Sequence, residues 1–300
     1  MTTPPTTGAR GRLFHSAHLV ENLLKVLLYL LLSIGLIALL LPSYWMIMTS
    51  FKEMGTEFRV PVEWWPERWV FSNYGMLNAY FPFVLYLRNT LLLVVSNLFG
   101  TLLTSSLVAF SFARLRWRGR STVFALCLAT MMLPGVVTMI PTFVIYKQLK
   151  WLNTFMPLIV GSYFGGGGFN VFLLRQFYMG LPLELDEAAR MDGATAITIW
   201  ARLIMPLSKP ALATIAIFTF IGVWNDFMGP LLYLSDEELY TLALGLRMMY
   251  STYTGYGNAT PMIAPVMAAS VIMTAPVIIV FFFGQEYFVQ GIVTTGLAGR

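Results

Sequence analysis

Long apolar runs alternate with short polar stretches along this chain. A helix needs about 20 apolar residues to cross a hydrocarbon core about 30 Å thick. Six stretches reach that length: approximately Val26–Met48, Asn89–Phe112, Thr122–Tyr146, Phe155–Leu174, Ala211–Tyr233 and Pro261–Gly284. The pattern predicts an all-α polytopic membrane protein with six transmembrane helices. The first run is too long for a signal-peptide core and lacks a convincing cleavage site, so it reads as a retained span. A polar tail precedes it, residues 1–22, with Thr, Pro and Gly at its start, and is expected to be loosely ordered. Pro134 and Pro141 fall in the third run and should kink it, either shaping a pore or aiding packing. The glycines Gly165–Gly168 lie within the fourth and predict close helix approach or a flexible break.

Composition agrees with that pattern. Hydrophobic residues make up 57% of the chain and charged residues 11%, against about a quarter charged in a soluble domain. The mean hydropathy is +0.71. A soluble enzyme, a secreted disulfide scaffold, a disordered regulator and a coiled coil are excluded. The net charge of +5 is first a question of topology. With the N-terminus inside, six spans return the C-terminus to the same side. Twelve of the 19 Lys and Arg residues then lie inside and seven outside. Arg114, Arg116, Arg118 and Arg120 in one short loop supply the clearest bias, read as a topology anchor in preference to a specific lipid or partner site. The excess is not a nucleic-acid surface.

Two outer segments stand apart. Residues 51–87 carry Trp64, Trp65, Trp69 and Tyr74, aromatics that favour the headgroup zone. Residues 235–260 start acidic, with Asp236, Glu237 and Glu238, and end rich in Tyr and Gly. Either could simply connect spans or touch an external partner.

The most informative segment lies between the fourth and fifth runs, residues 181–209. Pro182 can open a helix, and Glu184, Asp186 and Glu187 suit the positive end of its dipole. Ala188 and Ala189 are small helix formers, and Gly193 permits the left-handed geometry that ends a helix. A second helix should start near Thr195 and stop before Pro206. This is a helix–turn–helix outside the membrane, either an amphipathic connector or a knob small enough for a partner's socket.

The same residues carry a resemblance. Glu187-Ala188-Ala189, then Gly193, then nine residues to Leu203-Ile204-Met205-Pro206 resembles the cytoplasmic signature, the EAA motif, of binding-protein-dependent ABC importer permeases. Leu203 stands where the pattern has Ile, and Met205 where it has Leu; both stay apolar. Arg88-Asn89-Thr90, Phe112-Ala113-Arg114, Asp192-Gly193-Ala194, Trp224-Asn225-Asp226-Phe227 and Tyr287-Phe288-Val289-Gln290-Gly291 extend the likeness. It covers essentially residues 26–291 and is closest to the carbohydrate-uptake branch, with its maltose-type second permease subunit.

The resemblance implies a permease domain over residues 23–291 that performs no chemistry itself. It forms half of a translocation pore, and a homologous second permease subunit supplies the other half. An ATPase subunit dimer docks on the cytoplasmic side and binds the ATP and Mg, so this chain needs no cofactor. An extracytoplasmic substrate-binding protein delivers the solute. Glu187, Ala188, Ala189, Asp192 and Gly193 form the coupling helix: Glu187 in polar contact with the ATPase cleft, the two alanines seated in it, Gly193 making the turn. The setting is a prokaryotic inner membrane, with both termini cytoplasmic. Residues 292–300 lack the Gly- and Lys-rich tail of close relatives, so no tail contact with the ATPase is carried over.

The remaining chemistry is sparse. No phosphate-binding Gly-x-x-x-x-Gly-Lys-[Ser/Thr] occurs. The two histidines, His15 and His18, sit in the N-terminal tail, so no His-based metal site or triad is expected. Cys127 reads as a buried small apolar residue. Asp226 is the one acid inside a run, beside Trp224 and Asn225. An aromatic ring next to an amide and a carboxylate suits a sugar, so these three are pore or substrate candidates. The alternative is a helix-end group satisfied within the scaffold. The favoured solute is a sugar or related polyhydroxyl compound. A glycerophosphodiester or peptide importer, a membrane-embedded enzyme and an assembly subunit are the other readings.

Overall fold

The computed structural model describes residues 8–57, 59–254 and 263–297, and among these every regular element is a helix. Helix α1 (Gly8–Ser50) begins inside the stretch expected to be a loose tail. The reason is local. Pro4 and Pro5 precede it, and no further proline occurs before Pro42. Its residues 21–43 are exposed on every face.

Helix α2 (Phe83–Arg114) holds 32 residues, about 48 Å at 1.5 Å per residue. It is the axle of the fold. Two hydrophobic cores flank its opposite ends. One gathers Leu77, Phe81, Tyr86, Val94, Trp224, Leu242 and Met249. The other gathers Ala109, Phe110, Phe112, Leu174, Tyr178, Ile199 and Ile204.

The third apolar run does not form one kinked helix. It forms α3 (Arg120–Thr130) and α4 (Gly135–Gln148), bent by 102° at the break between them. Pro134 caps α4 in an extended conformation (ψ 134°), while Pro141 sits within α4. Proline pushes the residue before it out of the helical region, so Pro134 ends one helix and begins another.

The fourth run is broken at the glycines. A helical turn (Met156–Ile159) and a 3-10 turn (Val160–Tyr163) lead into Gly165, Gly166 and Gly167, all with positive φ. Helix α5 (Gly168–Met179) then follows. Close approach accompanies the break, because a Cβ on Gly166 would lie 2.5 Å from the Thr101 methyl. The interrupted backbone is satisfied by α2. Asn97 Nδ2 donates to the Leu158 carbonyl at 3.0 Å, and the Thr104 hydroxyl lies 2.9 Å from the Ser162 carbonyl and accepts the Gly165 N–H at 3.0 Å. Irregular backbone at membrane depth is tolerated only where protein supplies such partners.

After α6 (Glu184–Met191) the second loop helix passes through Pro206 instead of stopping before it. It runs Ala196–Ile199, widens to a π turn at Trp200–Ile204, and closes with Met205–Leu207. The Met205 N–H reaches back to Trp200. Pro206 has no N–H to give, and the widened turn just before it absorbs the mismatch.

Helix α7 (Lys209–Trp224) leaves that segment at 79°. It stops at Asn225, and the short α8 (Met228–Tyr233) follows. The expected fifth span is therefore interrupted at the Trp-Asn-Asp triplet. Helix α9 (Leu242–Thr254) occupies much of the second segment expected to be a loop. Asn89 Nδ2 binds the carbonyls of Glu238 and Tyr240, and Thr90 Oγ1 accepts the Leu242 N–H, which ties this segment to α2. Residues 255–260 of that segment lie outside the described residues. Helix α10 (Ile263–Leu297) extends into the stretch read as the C-terminal tail, and its N-terminus is capped by the Glu57 carboxylate at 3.0 Å from the Ala264 N–H.

Four helical segments are long and apolar enough to cross a membrane: Glu21–Ser50, Phe83–Arg114, Met156–Met179 and Ile263–Glu286. The number rises to six if each bent pair is one span.

Candidate functional site

Helix α6 has eight residues, with Glu184, Asp186 and Glu187 in its first turn and Arg190 in its last. That charge order complements the helix dipole at both ends. Its end is a Schellman motif. The Ala194 N–H bonds the Ala189 carbonyl at 2.9 Å and the Gly193 N–H bonds Arg190 at 3.0 Å, while Gly193 holds φ +80°. Thr195 opens the next segment, its hydroxyl accepting the Thr198 N–H.

The two faces of α6 differ sharply. Glu187, Ala188, Asp192 and Gly193 are exposed, and Met191 is 89% exposed. Ala189 and Ala194 turn inward and pack against the core at the far end of α2. At about 100° per residue, adjacent alanines cannot share one face. The two alanines expected to seat together in a partner are thus divided: Ala188 is presented and Ala189 is anchored. Met191 was missed by the motif, although it lies one turn beyond Glu187 and could have been found from that spacing.

Asp186 is also inward, 4% exposed, with its Oδ2 3.8 Å from Nη1 of Arg114 at the end of α2. Arg114 Nη2 donates to the carbonyls of Tyr178 and Leu181 at 2.7 and 2.8 Å. The sequence did not pair these residues. Arg114 was one of four arginines and the end of the Phe112-Ala113-Arg114 stretch, and Asp186 one of three first-turn acids. Burial separates them from their neighbours, since Arg116 and Arg118 are exposed.

The second candidate group is placed at the α7–α8 break. Trp224 is 2% exposed, its ring stacked on Phe220 and its Nε1 donating to the Met273 carbonyl at 2.9 Å. It is not open to a sugar in this structure, because the indole N–H of a buried Trp has found an internal partner. Asn225 is exposed, with Nδ2 donating to Ile221 at 2.9 Å. Asp226 is half-buried and its Oδ1 accepts the Gly229 N–H at 3.0 Å, a capping contact for α8. Among the described residues, no group of three or more His, Cys, Asp or Glu side chains could hold a metal ion.

Comparison with known proteins bears on the same segments. The family model for the inner membrane component of binding-protein-dependent transport systems matches residues 101–294, which include α6 and the Gly193 turn. The chain is 33% identical to the arabinooligosaccharides transport system permease protein AraQ of Bacillus subtilis, over 87% of this chain and 91% of that one. It is 31% identical to the sn-glycerol-3-phosphate transport system permease protein UgpE of Yersinia pestis, over 92% and 99%. Among solved structures it matches a bacterial ABC transporter involved in import of the acidic polysaccharide alginate, with a TM-score of 0.79 and 27% identity, covering 95% of this chain and all of that one. An exposed motif helix braced on a long apolar axle, in a chain with these relatives, has one reading: it belongs to the family of inner membrane components of binding-protein-dependent transport systems, a transport component rather than an enzyme.

Proposed function

We propose that this chain is a six-span permease subunit that forms half of the pore of an ATP-driven importer, with α6 as its coupling helix on the cytoplasmic side. The observation that carries the reading is the division of α6. Glu187, Ala188, Met191 and Asp192 face outward from a helix whose other side is fixed by Ala189, Asp186 and the Gly193 turn. A rigid knob with two carboxylates, one small residue and one apolar side chain suits a socket on a partner, here a cytoplasmic ATPase dimer that binds ATP and Mg. Counting each bent pair as one span puts both termini on one side, and the excess of Lys and Arg there supports the cytoplasmic side. A homologous second subunit completes the pore, and an extracytoplasmic binding protein delivers the solute.

The solute is a sugar or related polyhydroxyl compound. Support comes from the relatives, whose names give arabinooligosaccharides, glycerol 3-phosphate and alginate, all rich in hydroxyl groups. Asn225 and Asp226 remain candidates for contact with it, whereas the burial of Trp224 supports a scaffold role for that residue.

Replacing Glu187 by Lys and Gly193 by Val, then measuring co-purification with the ATPase and binding-protein-stimulated ATP hydrolysis, tests the coupling role. Both should fall, and wild-type values for both would overturn it. Calorimetric binding of sugars, glycerol phosphates and peptides to the cognate binding protein tests the solute class; binding of peptides alone would overturn that part.

A further inference from the structure

The run of four arginines divides in the fold. Arg116 and Arg118 are exposed, as a topology anchor should be, but Arg114 is 7% exposed. A topology signal has no need of burial, and burying a guanidinium is costly unless its charge and its donors are met. Two other elements meet part of that demand: Nη2 is hydrogen-bonded and Nη1 has an ion-pair contact, while Nε and Nη1 have no hydrogen-bond partner among the described residues. Nη2 takes the Tyr178 and Leu181 carbonyls, which lie at the last turn of α5 and just beyond it. Nη1 faces Asp186 of α6 at 3.8 Å, and the Asp186 side chain is only 6% exposed. One side chain at the end of α2 therefore holds the end of α5 and the inner face of α6 together. The surrounding packing has the same extent: Phe110 and Phe112 of α2, Leu174 and Tyr178 of α5, and Ala189 of α6 share one core.

We infer that Arg114 is a positioning residue that locks α2, α5 and α6 into a single lever, so that displacement of the motif helix moves the ends of α2 and α5 as one body. The inference rests on the coupling role proposed for α6. The second nitrogen matters, because a lysine ammonium could take the two carbonyls as Nη2 does but has no second nitrogen to face Asp186. Asp186 supplies the charge contact that ties the lever to the surface the partner pushes. Both residues are buried beneath that surface.

The test compares R114K, D186N and D186E with wild type in the complete transporter reconstituted in liposomes. Three quantities are read: ATPase retained in the complex, binding-protein-stimulated hydrolysis, and solute taken up per ATP hydrolysed. In R114K and D186N the ATPase should stay bound while uptake per ATP falls at least about fivefold, the lower end of a typical coupling between sites. D186E should restore most of the ratio. An unchanged ratio in both variants would overturn the lever. So would loss of ATPase binding in both, which would make Arg114 a support of the docking face alone.

A second measurement covers variants that fail to assemble. Spin labels at exposed Arg118 and Glu184, in a Cys127→Ser background, report the distance between the end of α2 and α6 by pulsed electron resonance. In the otherwise wild-type complex that distance should be the same without nucleotide and with ATP bound. A distance that changes between the two states overturns the lever whatever the variants do. Failure of the coupling role itself has a separate signature, namely Glu187 variants with wild-type ATPase binding and hydrolysis.

Discussion

Gly193 offers a direct measure of how much the motif turn matters. Its φ of +80° is a conformation that ordinary residues occupy at a cost of about 1–2 kcal/mol. A Cβ added there meets nothing within 4 Å, so steric packing does not enter the comparison. The penalty on alanine is then purely conformational. At tenfold per 1.4 kcal/mol it lowers the ratio of formed to unformed turns by about 5- to 30-fold. Asparagine visits the left-handed region more readily than alanine, and valine far less. The expected order of function is Gly, Asn, Ala, Val. The turn sets the direction in which the chain leaves α6, through the Ala194-to-Ala189 and Gly193-to-Arg190 bonds. The apparent affinity of the permease for its ATPase should follow that order, with Gly193→Ala weakened by at most that factor and total folded protein unchanged. Titration of purified ATPase onto the permease in nanodiscs reads it. An alanine variant indistinguishable from wild type, or an asparagine variant worse than valine, refutes the reasoning.

Gly166→Ala should cost more than Gly193→Ala, because φ +61° and contact with Thr101 combine. About 2–5 kcal/mol is expected from the two effects, with Thr101→Ala recovering only the steric share, as read by thermal unfolding in detergent. Asp226→Asn keeps an oxygen for the Gly229 N–H and should leave thermal stability unchanged, whereas Asp226→Ala loses the cap and about 1 kcal/mol. If Asp226→Asn also abolishes uptake, the carboxylate acts in the pore; wild-type uptake assigns it to the scaffold. Trp224→Phe removes the indole's bond to the Met273 carbonyl and should lower stability by about 1 kcal/mol, with solute affinity unchanged in uptake assays.

Helix α2 was legible in the sequence because residues 89–112 are apolar without a proline, and hydropathy alone finds such a segment. The glycine run announced a break for the same kind of reason: three successive left-handed residues are accessible only to glycine. Pro134 was visible, but whether a proline kinks a helix or ends it depends on what the neighbouring residues pack against. The Gly193 turn was readable from local chemistry. The Arg114–Asp186 contact was not, since both residues have ordinary roles in their own segments and only the fold brings them together. Trp224 shows the converse. Its place in a polar triplet suggested an open site, yet the indole N–H is satisfied by α10, a partner that its neighbours in sequence do not reveal.

The polar stripe of α2 has a consequence for assembly in the membrane. The carbonyls of Leu158 and Ser162 and the N–H of Gly165 are met by Asn97 and Thr104. Each such group left bare in hydrocarbon costs several kcal/mol. The segment from Met156 to Met179 therefore cannot rest stably in lipid by itself, whatever its hydropathy. Because α2 lies earlier in the chain, translation delivers the hydrogen-bonding template to the bilayer before the helix that depends on it leaves the ribosome. The order of the two segments in the gene is thus also an order of solvation, with one helix serving as the polar medium in which a later one is laid down.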